Sequence, residues 1–329
     1  MPRISDEQAF EERLAMLAPL EDAARRRALL IVNAHAARVD DRVRDLVAYA
    51  LATRYEVDAV ETQARGHATE LSSDAGRDGY ALVVAFGGDG TVNEAANGLA
   101  GSGVPLTCLP GGSANVYCKL LGIGGEIVDA TEHLLRVADR FSPRQVDLGL
   151  VEGRLFTFTA GVGMDADVVR RVDARPALKA RFGPYFYAAV ASGVLLRRYV
   201  ARAPRMFVAV GGETLSGVTA VVQNAEHYTY FHARPVDLAD GARLDDGALA
   251  GVVLRRASLL ATPSLAIRAA VPRLRVSRHR HVQAFSGAAM LTVSSAGGRL
   301  LPLQVDGDYL GEVSEARFSI RPRALTVVS

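Results

Sequence analysis

The chain has 329 residues, of which 49% are hydrophobic and 22% are charged, and its formal net charge at pH 7 is +2. This composition excludes a largely disordered chain, and the length predicts two domains. The sequence has only two cysteines and no Cys/His cluster with zinc spacing, so it is not a disulfide or zinc scaffold. The start of the chain lacks the apolar core of a signal peptide, and no apolar run approaches the ~18 residues of a membrane span. We therefore expect a cytoplasmic protein that attaches at most peripherally to the inner face of a membrane.

The first half of the chain alternates helical and extended patterns. An amphipathic helix is predicted over Ser5–Arg27, as an N-terminal extension of residues 1–27. Predicted strands follow at Ala28–Val32, Tyr55–Glu61, Tyr80–Phe86 and Pro105–Leu109. Predicted helices lie at Asp40–Arg54, Thr91–Ala100, Ser113–Leu121 and Glu126–Ala138. Strands that alternate with helices favour a parallel sheet, so we predict an α/β domain over residues 28–143.

The pattern changes near Ser142. From Gln145 onward, short runs rich in Val, Leu, Phe and Thr are separated by Gly and Asp, which is typical of an all-β domain. One helical insert, at about Asp173–Arg202, interrupts these runs. The predicted fold is therefore α/β plus all-β, with the second domain over residues 144–315.

The second half of the chain also contains two stretches without acidic residues. No Asp or Glu occurs from Ala174 to Gly212 or from Gly247 to Val305, whereas both stretches are rich in arginine. This asymmetry is consistent with a polyanion or an anionic membrane surface as partner. It is equally consistent with a solvated face on an arginine-rich protein.

A glycine-rich loop follows the most apolar predicted strand. The run YALVVAF leads directly into Gly87-Gly88-Asp89-Gly90-Thr91 and then into a predicted helix. Glycines let the backbone approach a phosphate, and both loop N–H groups and a helix N-terminus favour negative charge. We therefore favour nucleotide binding over a simple tight turn, with Asp89 facing a Mg²⁺ ion or a sugar hydroxyl. The pattern is neither GxGxxG nor a Walker loop.

A second loop of the same kind follows the next predicted strand. Pro110-Gly111-Gly112-Ser113-Ala114-Asn115 opens another predicted helix, which Ser113 could cap while also binding phosphate. Loops that follow neighbouring parallel strands converge at the carboxyl edge of a sheet, where ligands bind in open α/β folds.

The ordered set of motifs resembles the diacylglycerol kinase catalytic domain family, which includes sphingosine and ceramide kinases and soluble bacterial lipid kinases. GGDGTVNE is followed after about twenty residues by PGGSAN, and the other matching segments are Asn33–Ala37, Thr62 with His67-Ala68, Asp147–Gly149, Ala160–Ala166, Leu244–Leu249 and Gln304–Asp308. The resemblance covers the chain from about Ala28 onward. GGDGT alone is weak, because NAD kinases share it, but the ordered set is strong.

The resemblance implies an N-terminal α/β domain related to NAD kinase and phosphofructokinase, completed by about residues 316–329, and a C-terminal β-sandwich that receives the lipid. It implies that MgATP binds in the cleft, so the expected cofactors are ATP and Mg²⁺. The resemblance implies a lipid substrate as partner, and the arginine-rich stretches favour an anionic membrane surface as a second partner, without nucleic acid. An exposed sheet edge could pair two chains as a homodimer.

The resemblance also assigns roles to individual residues. It implies general-base catalysis by Asp308, with Asp306 as the alternative base. It implies a metal or water-bridged ion near Arg243, Asp246 and Ala248. The implied ATP-binding residues are Asn33, Thr62, Gly87, Gly88, Asp89, Gly90, Thr91, Asn93, Glu94, Gly112, Ser113 and Asn115.

Three departures from the family pattern keep alternatives open. The loop after the first strand lacks the usual Asn-Pro pair, Val116 replaces an acid found in many members, and Asp308 replaces the usual Glu. An ATP-dependent lipid kinase acting on diacylglycerol or a similar alcohol is favoured. A NAD kinase and a catalytically inactive nucleotide or lipid sensor are the alternatives.

Overall fold

The computed structural model describes residues 25–36, 38–200, 205–231, 234–258, 260–271 and 274–329. The chain forms two compact units. The N-terminal unit comprises the chain up to Arg144 together with Leu325–Ser329, and the C-terminal unit comprises Gln145–Ala324. The extension predicted over residues 1–27 lies outside the described residues except at its end. There Arg26 and Arg27 belong to the first strand, so the predicted helix does not reach Arg27.

The N-terminal unit is built around a parallel sheet. Its strands are β1 (Arg26–Val32), β2 (Tyr55–Glu61), β3 (Leu82–Gly87) and β4 (Leu106–Pro110). Its helices are α1 (Asp41–Ala52), α2 (His67–Ala75), α3 (Asp89–Leu99), α4 (Val116–Leu120) and α5 (Ile127–Arg140). The strand order is β2-β1-β3-β4, and Val327, near the end of the chain, pairs in parallel with Leu106 beside β4.

The order of these strands determines where a ligand can bind. Every residue of β3 and β4 is buried, as expected for strands covered on both faces. The chain passes from β1 to β2 on one side and returns to β3 on the other side of β1. The sheet therefore has a switch point between β1 and β3, and the carboxyl edge at such a point is where open α/β sheets bind their ligands.

The C-terminal unit contains two large antiparallel sheets and a separate two-stranded sheet formed by Thr229–Phe231 and Arg234–Val236. Its first six strands are β5 (Arg144–Val151), β6 (Arg154–Phe156), β7 (Thr159–Gly163), β8 (Arg205–Val210), β9 (Glu213–Gly217) and β10 (Thr219–Gln223). The others are β11 (Thr229–Phe231), β12 (Arg234–Val236), β13 (Leu249–Leu254), β14 (Val282–Ala288), β15 (Met290–Ala296), β16 (Leu301–Val305), β17 (Asp308–Val313) and β18 (Glu315–Val327). One sheet has the order β14-β13-β10-β7-β16-β17, and in the other β18, β15, β8 and β9 are neighbours.

A single apolar cluster fills the space between these sheets. Ala160, Val222 and Leu303 of the first sheet pack in the same cluster as Val208 and Phe318 of the second. Alternate residues of each strand face this cluster, which is the pattern of a β-sandwich. The α/β plus all-β fold class predicted from the sequence is therefore confirmed.

Helical segments lie between strands of the C-terminal unit at two places in the chain. The first segment contains α6 (Met164–Asp173), α7 (Pro176–Val194) and a π-helical turn (Leu195–Tyr199). Helix α7 is kinked at Gly183, whose φ is 47°. The second place is α8 (Thr262–Ala270), followed by a 3₁₀ turn at Val276–Arg278. Within the described residues, none of the helices has the length and apolar character needed to cross a membrane.

The structure corrects several predicted elements. The insert placed at Asp173–Arg202 begins at Met164, because Gly163 leaves β7 with φ 91° and starts a helix at once. Helix α2 and helix α8 had no predicted counterpart, since each has only nine residues, which is too few for helical periodicity to stand out. The helix predicted over Ser113–Leu121 begins only at Val116, because Asn115 adopts a φ of 49° that ends the preceding loop.

Candidate active site

Three loops meet at the carboxyl edge of the parallel sheet. Backbone hydrogen bonds join them: the Asn33 N–H donates to the Phe86 carbonyl at 2.9 Å, and the Gly111 N–H donates to the Gly87 carbonyl at 2.8 Å. At the end of β2, the Thr62 N–H donates to the Val32 carbonyl at 2.8 Å. The structure therefore brings Asn33, Thr62 and both glycine loops to one edge.

The two glycine loops pack backbone against backbone. A Cβ atom at Gly87 would lie 2.5 Å from Thr91 Oγ1, and one at Gly112 would lie 2.7 Å from the Gly88 Cα. At Gly111 a Cβ would meet Val39 Cγ2 at 2.7 Å. No side chain fits at these three positions, whereas a Cβ at Gly88 would come no closer than 3.5 Å to Gly112 Cα. Of these four glycines, Gly88 is therefore the one whose surroundings leave room for a ligand.

Helix α3 starts earlier than the sequence pattern predicts. Asp89 and Gly90 form its first turn, and Gly88 is the extended residue that precedes it. The first N–H groups of a helix have no partner within the helix and carry its positive partial charge. Helix α3 therefore presents the N–H groups of Asp89, Gly90 and Thr91 at the loop, which is the electrostatic requirement of a phosphate site.

Asp89 and Asn33 fix the shape of this edge. The Asp89 carboxylate accepts the Tyr117 N–H at 3.0 Å and so binds the first turn of α4 to the start of α3. The Asn33 side-chain amide donates to Thr91 Oγ1 at 3.0 Å, and its oxygen accepts the His35 N–H. Both residues therefore tie loops together, a role that the sequence did not indicate for Asp89.

The second loop is closed by its own asparagine. Asn115 Oδ1 accepts the Gly112 N–H at 2.8 Å, and Asn115 Nδ2 donates to the Gly112 carbonyl at 2.9 Å. Because Asn115 is the residue that precedes α4, Ser113 does not cap this helix; Ser113 is exposed on the loop. Lys119, which sequence reasoning left without a role, donates to the Ala114 carbonyl at 2.8 Å and adds a cation beside the loop. Burial lowers the pKa of Lys119.

Two of the predicted nucleotide residues have packing contacts instead. Glu94 is buried, and its Oε1 accepts the Gly66 N–H at 2.9 Å, which joins α2 to α3. Asn93 is also buried and accepts hydrogen bonds from Asn97, one turn further along α3. These contacts lie within the helical layer.

In the C-terminal unit, the predicted catalytic residues lie on a tight hairpin between β16 and β17. Asp306 and Gly307 have φ values of 48° and 84°, and Val305 pairs with Asp308. Positive φ at both central residues is the type I′ turn that suits antiparallel strands. Asp308 is the first residue of β17 and is half-buried.

Asp306 and Asp308 have different surroundings. Asp306 is 4% exposed, and its carboxylate accepts four hydrogen bonds: from the N–H and hydroxyl of Thr157 and from the N–H groups of Phe158 and Thr159. Burial raises the pKa of Asp306, and these hydrogen bonds act in the opposite direction. Asp306 therefore holds the hairpin on the β6–β7 connection, 149 residues away in sequence.

The predicted metal residues lie together on one loop that is fastened by Asp147. The buried Asp147 carboxylate accepts the Gly247 N–H at 2.6 Å, and the Asp147 N–H donates to the Leu244 carbonyl at 2.6 Å. Within this loop Asp246 accepts the Ala248 N–H at 3.1 Å. Arg243 faces Asp245 at 3.6 Å.

The chemistry of this loop limits what it can hold. Of the three predicted residues, Asp246 alone carries a carboxylate, and no group of three or more His, Cys, Asp or Glu side chains in the described part of the chain is arranged to hold a metal ion. A Mg²⁺ ion fits such a loop only if waters, backbone carbonyls or phosphate oxygens supply most of its ligands.

Comparison with known proteins agrees with this architecture. Residues 27–150 match the diacylglycerol kinase catalytic domain, and residues 159–329 match the YegS C-terminal NAD kinase beta sandwich-like domain. The chain is 39% identical over 145 residues to a "Probable lipid kinase YegS-like" of Pseudomonas syringae pv. syringae. The matched stretch covers 44% of this chain and 46% of that protein, so the chain spans about half the length of this relative.

Two further matches extend over more of the chain. A "Diacylglycerol kinase" of Staphylococcus carnosus is 25% identical over 267 residues, which is 79% of this chain and 80% of that protein. A crystal structure of a diacylglycerol kinase from Bacillus anthracis str. Sterne superposes with a TM-score of 0.67 at 18% identity, over 93% of this chain and 98% of the other. The chain thus belongs to the diacylglycerol kinase family, among the members whose catalytic domain is followed by a YegS-type β-sandwich domain.

Proposed function

We propose that the protein is an ATP-dependent lipid kinase that transfers the γ-phosphate of ATP to the hydroxyl of diacylglycerol or a similar lipid alcohol. The observation that carries the proposal is the pair of glycine loops packed against each other, with the N-terminus of α3 at their edge. Phosphoryl transfer depends mainly on positioning and on neutralising phosphate charge, and this edge offers both.

In the proposed reaction, the two units contribute residues with different roles. In the N-terminal unit, Gly88 lets the phosphates approach the backbone, and the N–H groups at the start of α3 bind them. Lys119 adds positive charge beside the second loop. A Mg²⁺ ion bound with the nucleotide would neutralise further charge on the phosphates.

In the C-terminal unit, Asp308 is proposed as the general base. Its carboxylate accepts the proton of the lipid hydroxyl as the oxygen forms its bond to the γ-phosphorus and the bond to ADP breaks. Asp306 is saturated by hydrogen bonds to Thr157, Phe158 and Thr159, so we assign it the role of anchoring the turn.

The test is transfer of label from γ-labelled ATP to lipid. Purified protein is incubated with ATP, Mg²⁺ and mixed micelles of candidate lipid alcohols, beside Asp308→Asn and a matched control, Glu315→Gln, an exposed carboxylate on β18 that pairs with Arg317. A labelled lipid that forms with the wild type and the control, but falls at least 100-fold with Asp308→Asn, supports the kinase and its base. In a parallel incubation with NAD in place of lipid, label in NADP would identify a NAD kinase, and ATP binding without any transfer would identify a sensor.

We also propose that the C-terminal unit docks on an anionic bilayer, where such a lipid resides. Large apolar side chains are exposed on α7, the π-helical turn, β11 and the segment around α8, and Tyr185 of α7 stacks edge-on with Phe231 of β11 at 6.0 Å. The exposed side chains that we call the apolar–arginine surface are Leu178, Phe182, Tyr185, Leu196, Val200, Phe231, Leu260 and Ile267, with Arg175, Arg181 and Arg197.

The charge of this surface suits an anionic membrane. The acid-free stretch Ala174–Gly212 contains both α7 and the π-helical turn. No acidic residue within that stretch therefore offsets the positive charge of its arginines. A basic residue near an anionic surface contributes about 1 kcal/mol, and apolar side chains add to this by leaving water. We expect attachment at the cytoplasmic face, where anionic lipids are exposed.

Liposome flotation tests the docking. We expect binding to vesicles that contain phosphatidylglycerol, loss of binding to neutral phosphatidylcholine vesicles, and weakening at high salt because exposed charges are screened. Flotation that is indifferent to both lipid charge and salt would contradict the proposal.

A further inference from the structure

A chain of hydrogen bonds leads from the interior of the C-terminal unit to the hairpin that carries Asp308. Gln304 is 1% exposed and is the fourth residue of β16. Its side-chain amide donates to Asp165 Oδ2 at 2.6 Å, and its oxygen accepts the Gly307 N–H at 2.9 Å. Gln304 therefore connects Asp165 to the turn residue that immediately precedes Asp308.

Asp165 is held on its other side as well. Its Oδ1 accepts a hydrogen bond from the Tyr228 hydroxyl. Tyr228 and Gln304 therefore bind the two oxygens of the same carboxylate. Burial raises the pKa of Asp165, and the two hydrogen bonds act against that effect.

Sheet register explains how Asp165 reaches Gln304. Gly161 of β7 pairs directly with Gln304 of β16. A Cβ atom at Gly161 would lie 1.9 Å from Asp165 Oδ2, so the carboxylate occupies the space that a side chain would fill. Gly161 is thus required for Asp165 to fold back from α6 over the strand.

The hairpin is in consequence held from both sides. Asp306 fastens it to the β6–β7 connection through four hydrogen bonds, and Gly307 is fastened through Gln304 to Asp165. Catalysis requires that a reacting group be held in its productive geometry, and a displacement of about 1 Å can cost about 100-fold in rate. Such positioning is the work of residues that do not themselves touch the substrate.

We infer that Asp165 and Gln304 are positioning residues of the phosphotransfer reaction, which act by fixing the Gly307 end of the turn so that Asp308 points at the acceptor hydroxyl. Tyr228 supports them by orienting the Asp165 carboxylate. The inference rests on the proposed function, because it assumes that Asp308 is the base.

A swap of amide and carboxylate tests the connection. Gln304→Glu places two carboxylates against each other, which requires a shared proton, whereas Asp165→Asn leaves an oxygen that can still accept from Gln304. In the double variant the amide of residue 165 donates to the carboxylate of residue 304, whose second oxygen can still accept the Gly307 N–H. The double variant therefore restores the chain of hydrogen bonds with reversed polarity.

We expect Gln304→Glu to lower kcat about 10- to 100-fold at pH 8, with a smaller loss at pH 6 where the proton is retained. Asp165→Asn should lower kcat less than about threefold, and the double variant should recover most of the loss. The KM for ATP should stay within about twofold throughout, because the nucleotide loops lie in the N-terminal unit. Ser295→Ala, which removes a side-chain hydrogen bond to the Arg299 carbonyl elsewhere in the sandwich, is the control for general loosening.

Amide hydrogen exchange separates this inference from the proposed function. Peptides that contain Gly307 should exchange faster in Gln304→Glu and recover in the double variant, whether or not any lipid is phosphorylated. Unchanged exchange and unchanged kcat in Gln304→Glu, or a correctly folded double variant without recovery, would overturn the inference. If the swapped variants do not fold, Tyr228→Phe, which removes a single donor, should still lower kcat several-fold at an unchanged melting temperature. A wild type without transfer to any lipid would instead count against the kinase.

Discussion

At the scale of single residues, two neighbouring aspartates illustrate what a motif can and cannot assign. The sequence places Asp306 and Asp308 two positions apart in one segment, and the resemblance to lipid kinases allows either to be the base. The structure separates them through the positive φ of Asp306 and through its contacts with Thr157, Phe158 and Thr159. No local pattern could predict those contacts, because the partners lie almost half the chain away.

Because the two aspartates have different surroundings, we expect the replacement of each by asparagine to have a different main effect: a loss of stability at Asp306 and a loss of transfer at Asp308. In Asp306→Asn, the side-chain NH₂ replaces one of the two oxygens, each of which accepts two donors. Unpaired buried donors make the change destabilising, by about 2–4 kcal/mol. Asp308→Asn, on a half-buried residue, should cost less than about 1 kcal/mol of stability while it abolishes transfer. Urea unfolding of both variants checks the contrast, and equal losses of stability would contradict it.

Asp165 and Gln304 show a second limit of sequence reasoning. Both residues stand inside segments that resemble family motifs, so their importance was visible, but their partnership was not. The pairing depends on the register of β7 with β16 and on the space left by Gly161. Register is a property of the folded sheet and cannot be read from either segment alone.

At the scale of elements, the glycine loops were predicted more accurately than the helices that follow them. The sequence identified both loops and the strands that precede them. It placed the start of α3 two residues too late and the start of α4 three residues too early. The causes are local: Gly88 is extended at the start of α3, and Asn115 closes the second loop on itself.

The packing of these loops predicts that two glycines respond differently to alanine. Gly112→Ala forces a Cβ to 2.7 Å from Gly88 Cα, so the loops must separate, and we expect a loss of about 1–3 kcal/mol in the free energy of unfolding. Gly88→Ala has space within the protein and an extended backbone, so stability should hold while nucleotide affinity falls about tenfold or more.

Calorimetry with ATP and unfolding curves measure the two effects. Gly125→Ala, where a Cβ would lie 3.8 Å from Lys119 Cε, serves as the control for an unhindered substitution. A Gly88→Ala variant that binds ATP as tightly as the wild type would show that the phosphates bind elsewhere.

The segment that leads into β14 predicts a pH dependence of stability. His279 and His281 are buried with tilted rings 5.4 Å apart, and His279 Nδ1 accepts the His281 N–H. Burial lowers the pKa of both imidazoles below their ordinary value of 6.5. Neighbouring arginines act in the same direction: Arg268 on His279, Arg256 on His281, and Arg280 on both.

A lowered pKa means that folding favours the neutral imidazoles. Their contribution to stability is present above pH 6.5 and is lost as the pH falls below that value. We expect the melting temperature to decrease between pH 7.5 and pH 5, and His279→Asn combined with His281→Asn to flatten this dependence. His35→Asn, at an exposed position, should leave the slope unchanged. A slope that persists in the double variant would assign it to other groups.

At the scale of the whole molecule, composition and motif order were sufficient for the fold class. Alternating strands and helices predicted the parallel sheet, and short β-rich runs predicted the sandwich, because each pattern reflects which faces of the elements are covered. The extent of the helices was harder to predict. The α6–α7 segment carries apolar residues that face the solvent, and these weaken the amphipathic pattern on which helix prediction depends.

Those exposed residues predict that activity depends on how the lipid is presented. Phe182 and Tyr185 lie on α7 within the apolar–arginine surface, and Tyr185 is 65% exposed. If this surface docks on an anionic bilayer, Phe182→Ser with Tyr185→Ser should lower transfer to lipid in phosphatidylglycerol vesicles by about tenfold or more, since two aromatic anchors are lost. Transfer to a short-chain lipid alcohol in solution should change less than about twofold, because the glycine loops and the Asp308 hairpin are untouched. Tyr49→Ser removes an equally exposed tyrosine from α1 and should affect neither assay. Equal losses on vesicles and on the soluble substrate would show that α7 shapes the active site instead of binding the membrane.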